Sequence, residues 1–299
     1  MTHISVAMIT YNHERYLAQA IEGVLQQQTD FPIEIVIGED CSSDRTRAIC
    51  QEYAARYPDQ IVLLLRDKNV GMLENFRQVY DRCRGEFIAI CEGDDYWTSP
   101  QKLQQQVSAM TAHPSWSASF HRVLVTDTHH QEPDVLQPNG ETASEVTLEM
   151  ITAENGIPTC SFLIRRSALP KLPDWYPQLG KIGDWPLFIL AAAQGPIGYL
   201  SDVMAVHLRH SAGVWTSLDV IEQWDHALRA LTVLELHCDE PLRSMVVTGR
   251  RKFLGNFVQS HSGELARLRK IERRYRGLQL HRFAAIGKWF KDFWRPGSK

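Results

Sequence analysis

Short apolar, β-branched runs alternate with amphipathic helical segments through the first 115 residues, and this constrains the fold more than any other feature. ISVAMIT (4–10), IEIVIG (33–38), IVLLL (61–65) and EFIAIC (86–91) read as strands. Between them, 14–28 sets Leu17, Ile21, Val24 and Leu25 on one helical face, 44–57 is a helix stopped by Pro58, and 72–83 spaces Phe76, Val79, Tyr80 and Cys83 helically. Ser99 and Pro100 read as an N-cap and first-turn proline opening a fourth helix, with Leu103, Val107 and Met110 inward. Strands apolar on both faces and separated by helices predict an α/β fold with a mostly parallel, doubly covered central sheet. Further on, 118–125 and 160–166 read as strands, 127–145 as an exposed polar loop and 185–193 as a helix. The chain reads as largely helical from about 219. The expected division is a catalytic domain over 1–217, its halves meeting near 115, and a helical extension over 218–299.

In open parallel sheets, ligands bind beyond the carboxyl ends of the strands. Each strand here empties into polar residues: Thr10-Tyr11-Asn12, then Glu39-Asp40 through Asp44, then Arg66 to Asn69 with Gly71, then Glu92-Gly93-Asp94-Asp95-Tyr96-Trp97. These segments predict one polar rim. It is rich in carboxylates and lacks both G-x-G-x-x-G after the first strand and G-x-x-x-x-G-K-[ST] anywhere, so no glycine loop cradles phosphates. Carboxylates that face a phosphate need a divalent cation between them, Mg²⁺ or Mn²⁺, and Asp94-Asp95 is the candidate pair. The bland reading of GDD alone is an acidic turn capping the next helix.

VAMITYNHERYL, EIVIGEDCSSDRT, NVG followed by Asn75, EGDDYWTSPQKLQQQ and KIGDWPLF, in this order, resemble the family 2 nucleotide-sugar glycosyltransferases of GT-A fold. The stretch GDWPLFILAAAQGPIGYLSDVMAVHLRHSAGVWTS is similar to a bacterial subgroup associated with surface polysaccharides. The resemblance implies that Asp40 binds the nucleotide base, that Thr10 lines its pocket, and that Tyr11, Asn12, Asn69 and Gly71 join them. It places Asp95 as direct metal ligand, Asp94 closer to the ribose, and His210 near the diphosphate or metal. Asp184 matches the catalytic base of inverting members. Glu92 stands where the family writes the first Asp of D-x-D, and its role stays open. Trp97, Trp185 and Trp215 are candidate sugar or acceptor contacts, with core packing the equal alternative for Trp97 and Trp215. Gly183 is expected to allow close approach of substrate.

The implied reaction moves a sugar from a nucleoside diphosphate sugar, of UDP or dTDP type, to a hydroxyl of a growing, lipid-linked surface glycan. Two rivals are a sugar-1-phosphate nucleotidylyltransferase, which uses a glycine-rich basic loop that TYNHERYL lacks, and a non-catalytic scaffold of the same fold. Nucleic-acid binding is unsupported by any recognition motif.

Charge adds a final expectation. Residues 250–299 carry 14 Lys+Arg against 3 Asp+Glu, and the preceding residues carry a net −14. Phe283, Ile286, Trp289, Phe290, Phe293 and Trp294 alternate with Arg282, Lys288, Lys291 and Arg295, the pattern of an interfacial helix. Packing of that face on the catalytic domain or a second subunit is the alternative. The N-terminal stretch reads as a strand rather than a secretory leader, no apolar run approaches the roughly 18–20 residues of a membrane span, and the six cysteines are scattered. The expected location is cytoplasmic, with 278–299 at the inner membrane face.

Overall fold

A computed structural model describes residues 3–128, 133–211, 213–260 and 263. The chain divides into one unit through Arg250 and a second from Arg251. The expected interfacial tail lies outside the described residues.

Strands β1 (Ile4–Thr10), β2 (Ile33–Glu39), β3 (Ile61–Leu65) and β4 (Phe87–Ile90) form the parallel core of a ten-stranded sheet, in the order β3-β2-β1-β4. Their connections are α1 (Leu17–Leu25), α2 (Thr46–Arg56) and α3 (Met72–Arg82). Apolar residues dictate the packing. Ile4, Val6 and Met8 are fully buried and join one cluster with Leu17, Ile21 and Val24 of α1. Burying each of those three α1 side chains is worth about 1.5–3 kcal/mol. The register sets Thr10 opposite Glu39 and Glu39 opposite Leu65, while Ala7 faces Ile90. All four strands therefore end on one edge, as the sequence predicts.

Beyond β4 the sheet is mixed. A two-residue strand, β5 (Tyr96–Trp97), precedes α4 (Lys102–Ala112). Then come β6 (Ala118–Asp127), β7 (Val135–Gln137), β8 (Glu145–Val146), α5 (Leu148–Ala153), β9 (Leu163–Arg165), α6 (Asp184–Ala192) and β10 (Ile197–Arg209). The order continues β4-β9-β6-β10-β5, with β9 antiparallel to both neighbours and β6 parallel to β10. Two helices follow, α7 (Val220–His237) and α8 (Leu242–Ser260). Asp219 caps α7 in a reciprocal capping box with Glu222.

Three differences from the sequence reading have physical causes. The polar 127–145 stretch contributes β7 and the start of β8, because backbone groups beside β6 and β10 find ladder partners there. The fourth helix begins at Lys102 rather than at Ser99-Pro100; the Ser99 hydroxyl accepts only the Gln101 N–H, at 3.3 Å. Strand β10 escapes the alternation rule because its register shifts near Leu200–Val203, where Ser201, Asp202 and Val203 are exposed. The unit ending at Arg250 takes in α7, which packs on α6 and on the 3-10 turn Tyr176–Leu179. Among the described residues no helix is long and apolar enough to cross a membrane.

One buried cation stands out. Lys102 is fully buried, donates to Gln106 Oε1 at 2.7 Å and lies 4.0 Å from the Trp97 ring centroid. Burial lowers its pKa from 10.5 to about 7. Between those values the unfolded chain holds the proton and the folded chain does not, so this group makes folding more favourable as pH rises from 7. Replacement by Met removes that dependence. We expect Lys102→Met to raise the melting temperature relative to the parent by more at pH 6 than at pH 9; a gap that is constant or widens with pH would contradict this.

Candidate active site

The rim is assembled from the strand ends. Asp40, buried after β2, accepts the Val70 N–H at 2.7 Å and the Gly71 N–H at 2.9 Å on separate carboxylate oxygens. Its backbone carbonyl accepts Asn69 Nδ2 at 3.1 Å, and its N–H reaches the Thr10 carbonyl. Gly71 sits at φ 89°, a region that favours glycine. Asp40, Asn69, Gly71 and Thr10 thus form one corner, as the sequence reading expects. Thr10 Oγ1 is buried and has no protein partner. Asn12 and Cys41 both take positive φ, 56° and 61°. Asn12 ties two loops together: its N–H donates to Ser42 Oγ at 3.0 Å, and its Oδ1 accepts the Ser43 N–H at 2.9 Å. Tyr11 is exposed on the same rim.

The second corner is the turn between β4 and β5. Antiparallel pairing sets Tyr96 opposite Val206 and Trp97 opposite Ala205, so the end of β10 lies beside the turn. Asp95 is fully enclosed by this arrangement. It accepts the Leu208 N–H at 2.9 Å and faces His207 Nδ1 at 3.1 Å. The Asp95 carboxylate pushes the His207 pKa up to about 9 against the opposing effect of burial. Asp94 turns the other way. Its Oδ2 lies 3.0 Å from His210 Nε2 and 3.6 Å from His13 Nε2. Burial works to raise the Asp94 pKa, but the His210 hydrogen bond and the His13 charge hold it below the ordinary value.

Of the two aspartates expected near the cation, the oxygen that converges with imidazole nitrogens belongs to Asp94, whereas Asp95 accepts from β10. Donor atoms of His13, Asp94 and His210 all lie within 4.8 Å of one another. Imidazole and carboxylate donors at this separation fit a divalent transition ion. Burial first, then the charges of Asp94, Asp95 and Asp184, raise the Glu92 pKa well above its ordinary value.

The third corner is the start of α6. Asp184 Oδ1 accepts the Trp185 N–H at 2.7 Å; Oδ2 accepts Thr159 Oγ1 at 3.2 Å and Asn155 Nδ2 at 3.4 Å. Burial raises its pKa in spite of these donors. Gly183 admits neighbouring side chains of the protein rather than substrate: a Cβ there would strike Leu73 and Tyr176. The Tyr176 hydroxyl donates to the Gly183 carbonyl at 2.8 Å, fixing the backbone before Asp184.

Two tryptophans pack in the core, the equal alternative for Trp97 and a departure from expectation for Trp185. Trp97 is buried, donates Nε1–H to the Cys160 carbonyl at 2.9 Å and packs on Lys102, so its ring belongs to the core. Trp185 is also buried, with Nε1–H on the Ile151 carbonyl, and offers no face to a sugar. Trp215 is exposed in the segment after His210, whose carbonyl accepts the Gly213 N–H and Thr216 Oγ1. The residues that sequence reasoning passed over are His13, His207, Asn155 and Thr159. His13 sits three residues after Thr10 on the rim, and that proximity was its available signal.

Known proteins share this arrangement of elements. The S. aureus TarS 1–349 structure in complex with UDP-GlcNAc superposes with a TM-score of 0.64 at 20% identity, over 87% of this chain and 73% of that one. The Pyrobaculum calidifontis mannosyltransferase PcManGT, in complex with GDP-Man and Mn²⁺, gives 0.61 at 15% identity, over 96% and 79%. The uncharacterized protein Rv1520 of Mycobacterium tuberculosis is 38% identical over 214 residues, 72% of this chain and 61% of its own length. The chain therefore spans about three-fifths of that relative. Residues 5–172 match the model described as "Glycosyl transferase family 2". With the four-strand rim, the acidic turn and Asp184 on a GT-A scaffold, the chain belongs to glycosyl transferase family 2.

Proposed function

We propose that this chain transfers a sugar from a nucleoside diphosphate sugar to an acceptor hydroxyl, with inversion at the anomeric carbon. The observation that carries the reading is geometric: the Asp40 N–H donates to the Thr10 carbonyl at 3.1 Å and the Gly93 N–H to the Ile9 carbonyl at 3.0 Å, so the Asp40 corner and the acidic turn meet at the end of β1. The nucleotide base sits at the corner of Thr10, Asp40, Asn69 and Gly71. The buried Thr10 hydroxyl is available to hydrogen-bond it. Asp94 and His210 would hold a divalent ion, and such an ion would supply positive charge to a departing diphosphate.

Asp184 acts as general base, taking the acceptor hydroxyl proton as that oxygen attacks the anomeric carbon. Its raised pKa brings it nearer the range in which a carboxylate accepts a proton at neutral pH. Thr159, Asn155 and the Trp185 N–H orient it. UDP- or GDP-linked donors are the first to test, since TarS and PcManGT are solved with UDP-GlcNAc and GDP-Man. The acceptor is a glycan hydroxyl, and its lipid linkage rests on the resemblance of residues 183–217 to surface-polysaccharide enzymes.

Asp184→Asn should lower transfer by about 10²–10⁴-fold while donor binding persists. Isothermal titration with the donor and single-turnover transfer measure both; a variant with near-parent turnover refutes the assignment. The basic tail supports attachment to an anionic leaflet, each Lys or Arg adding about 1 kcal/mol. Flotation with liposomes containing anionic lipid should carry the full chain and leave a chain cut before residue 278 in solution; equal distribution would count against membrane contact.

A further inference from the structure

The geometry points to His13 as a third protein ligand of the cation, and to a transition-metal ion, Mn²⁺ or Co²⁺ in preference to Mg²⁺, as the occupant. This rests on the proposed transfer reaction only for the presence of a cation; the ligand set comes from the side chains.

Three donors arrive from three separate segments. His13 lies in the loop after β1, Asp94 in the turn after β4, and His210 just beyond β10. The nearest separations, 3.0 Å and 3.6 Å to one Asp94 oxygen, leave the nitrogens and the oxygen facing a common point. The His13 backbone is held in place, while its ring Nδ1 is buried without a hydrogen-bond partner among the described residues. Its backbone N–H donates to Thr46 Oγ1 at 2.8 Å, and its carbonyl accepts the Tyr16 and Leu17 N–H groups at 2.9 Å each. Gly93 makes room for it: a Cβ at 93 would lie 3.0 Å from His13 Nδ1 and 2.8 Å from Thr10 Oγ1. Any side chain at 93 would therefore crowd the ring beside Asp94. His210 is backed by Tyr16, with ring centroids 4.8 Å apart. Asp95 turns toward β10, where it accepts the Leu208 N–H and faces His207.

Two imidazoles and one carboxylate form a mixed nitrogen–oxygen set. Mg²⁺ dehydrates reluctantly and prefers oxygen, whereas imidazole suits ions later in the first row. Deleting His13 leaves one nitrogen and one oxygen, a set that discriminates less.

The test uses the full-length protein with Mn²⁺ alone. Pulsed electron paramagnetic resonance should detect two coupled imidazole nitrogens in the parent and one in His13→Ala. Mn²⁺ affinity should fall at least about tenfold in His13→Ala, no less than the loss expected on deleting even an outer-sphere partner. His13→Glu replaces nitrogen by oxygen at similar reach. It should bind Mn²⁺ with a single nitrogen coupling and lose it to a smaller excess of Mg²⁺ than the parent requires. It also provides the reading if the alanine variant fails to fold. One nitrogen in the parent, or couplings and affinity unchanged in either variant, would overturn the assignment. Sugar transfer that stays cation-dependent alongside a single nitrogen would overturn His13 and leave the proposed reaction standing. Two nitrogens without any binding of a nucleoside diphosphate sugar would do the reverse.

Discussion

Three carboxylates within four residues, Glu92, Asp94 and Asp95, follow a fully buried strand, and the structure around them is arranged to make that tolerable. Each is relieved differently. For Glu92, burial and the neighbouring charges disfavour ionisation. Asp95 is matched by a backbone N–H and by His207, whose pKa the Asp95 carboxylate pushes up to about 9. Asp94 faces two imidazoles, those of His210 at 3.0 Å and His13 at 3.6 Å. All the relieving groups except His13 come from β10 or the residue just past it. The two-residue strand β5 is thus more than decoration: its pairing with β10 delivers His207, Leu208 and His210 to the turn.

The second half of the sheet then acquires a purpose. Strands β9 and β6 bridge β4 to β10 within the one sheet. The buried Trp185 and Phe188 anchor α6 from below, and Tyr176 grips the Gly183 carbonyl. Helix α7 packs on the turn that carries Tyr176, and His237 stacks on Trp175 at 5.3 Å. The residue proposed as general base, Asp184, is thus placed by rigid elements, while burial raises its affinity for a proton.

Much of this was legible in the residues. Strands β1 to β4 stood out because both their faces are covered, so their apolar runs are uninterrupted. Their polar termini then had to share an edge, and Thr10, Asp40, Asn69 and Gly71 do meet there. β10 was hidden because exposed residues and a register shift interrupt its alternation, and β5 because two residues carry no period. Trp97 and Trp185 were open to misreading since a large aromatic beside a site looks alike whether it faces substrate or core; only the Nε1–H partners, carbonyls of Cys160 and Ile151, separate the two. His13 escaped notice because a single histidine gives no spacing signal. That Asp94 meets His210 while Asp95 meets His207 and Leu208 was not legible, because adjacent side chains point apart in a turn and sequence does not say which way.

The central claim is that burial and the neighbouring carboxylates raise the Glu92 pKa well above its ordinary value. Infrared difference spectroscopy between the parent and Glu92→Gln at pH 7 tests it directly. The account predicts a carboxylic-acid carbonyl stretch in the parent that vanishes in the variant and shifts in ²H₂O. A parent spectrum showing Glu92 only as an ionised carboxylate at that pH would contradict it.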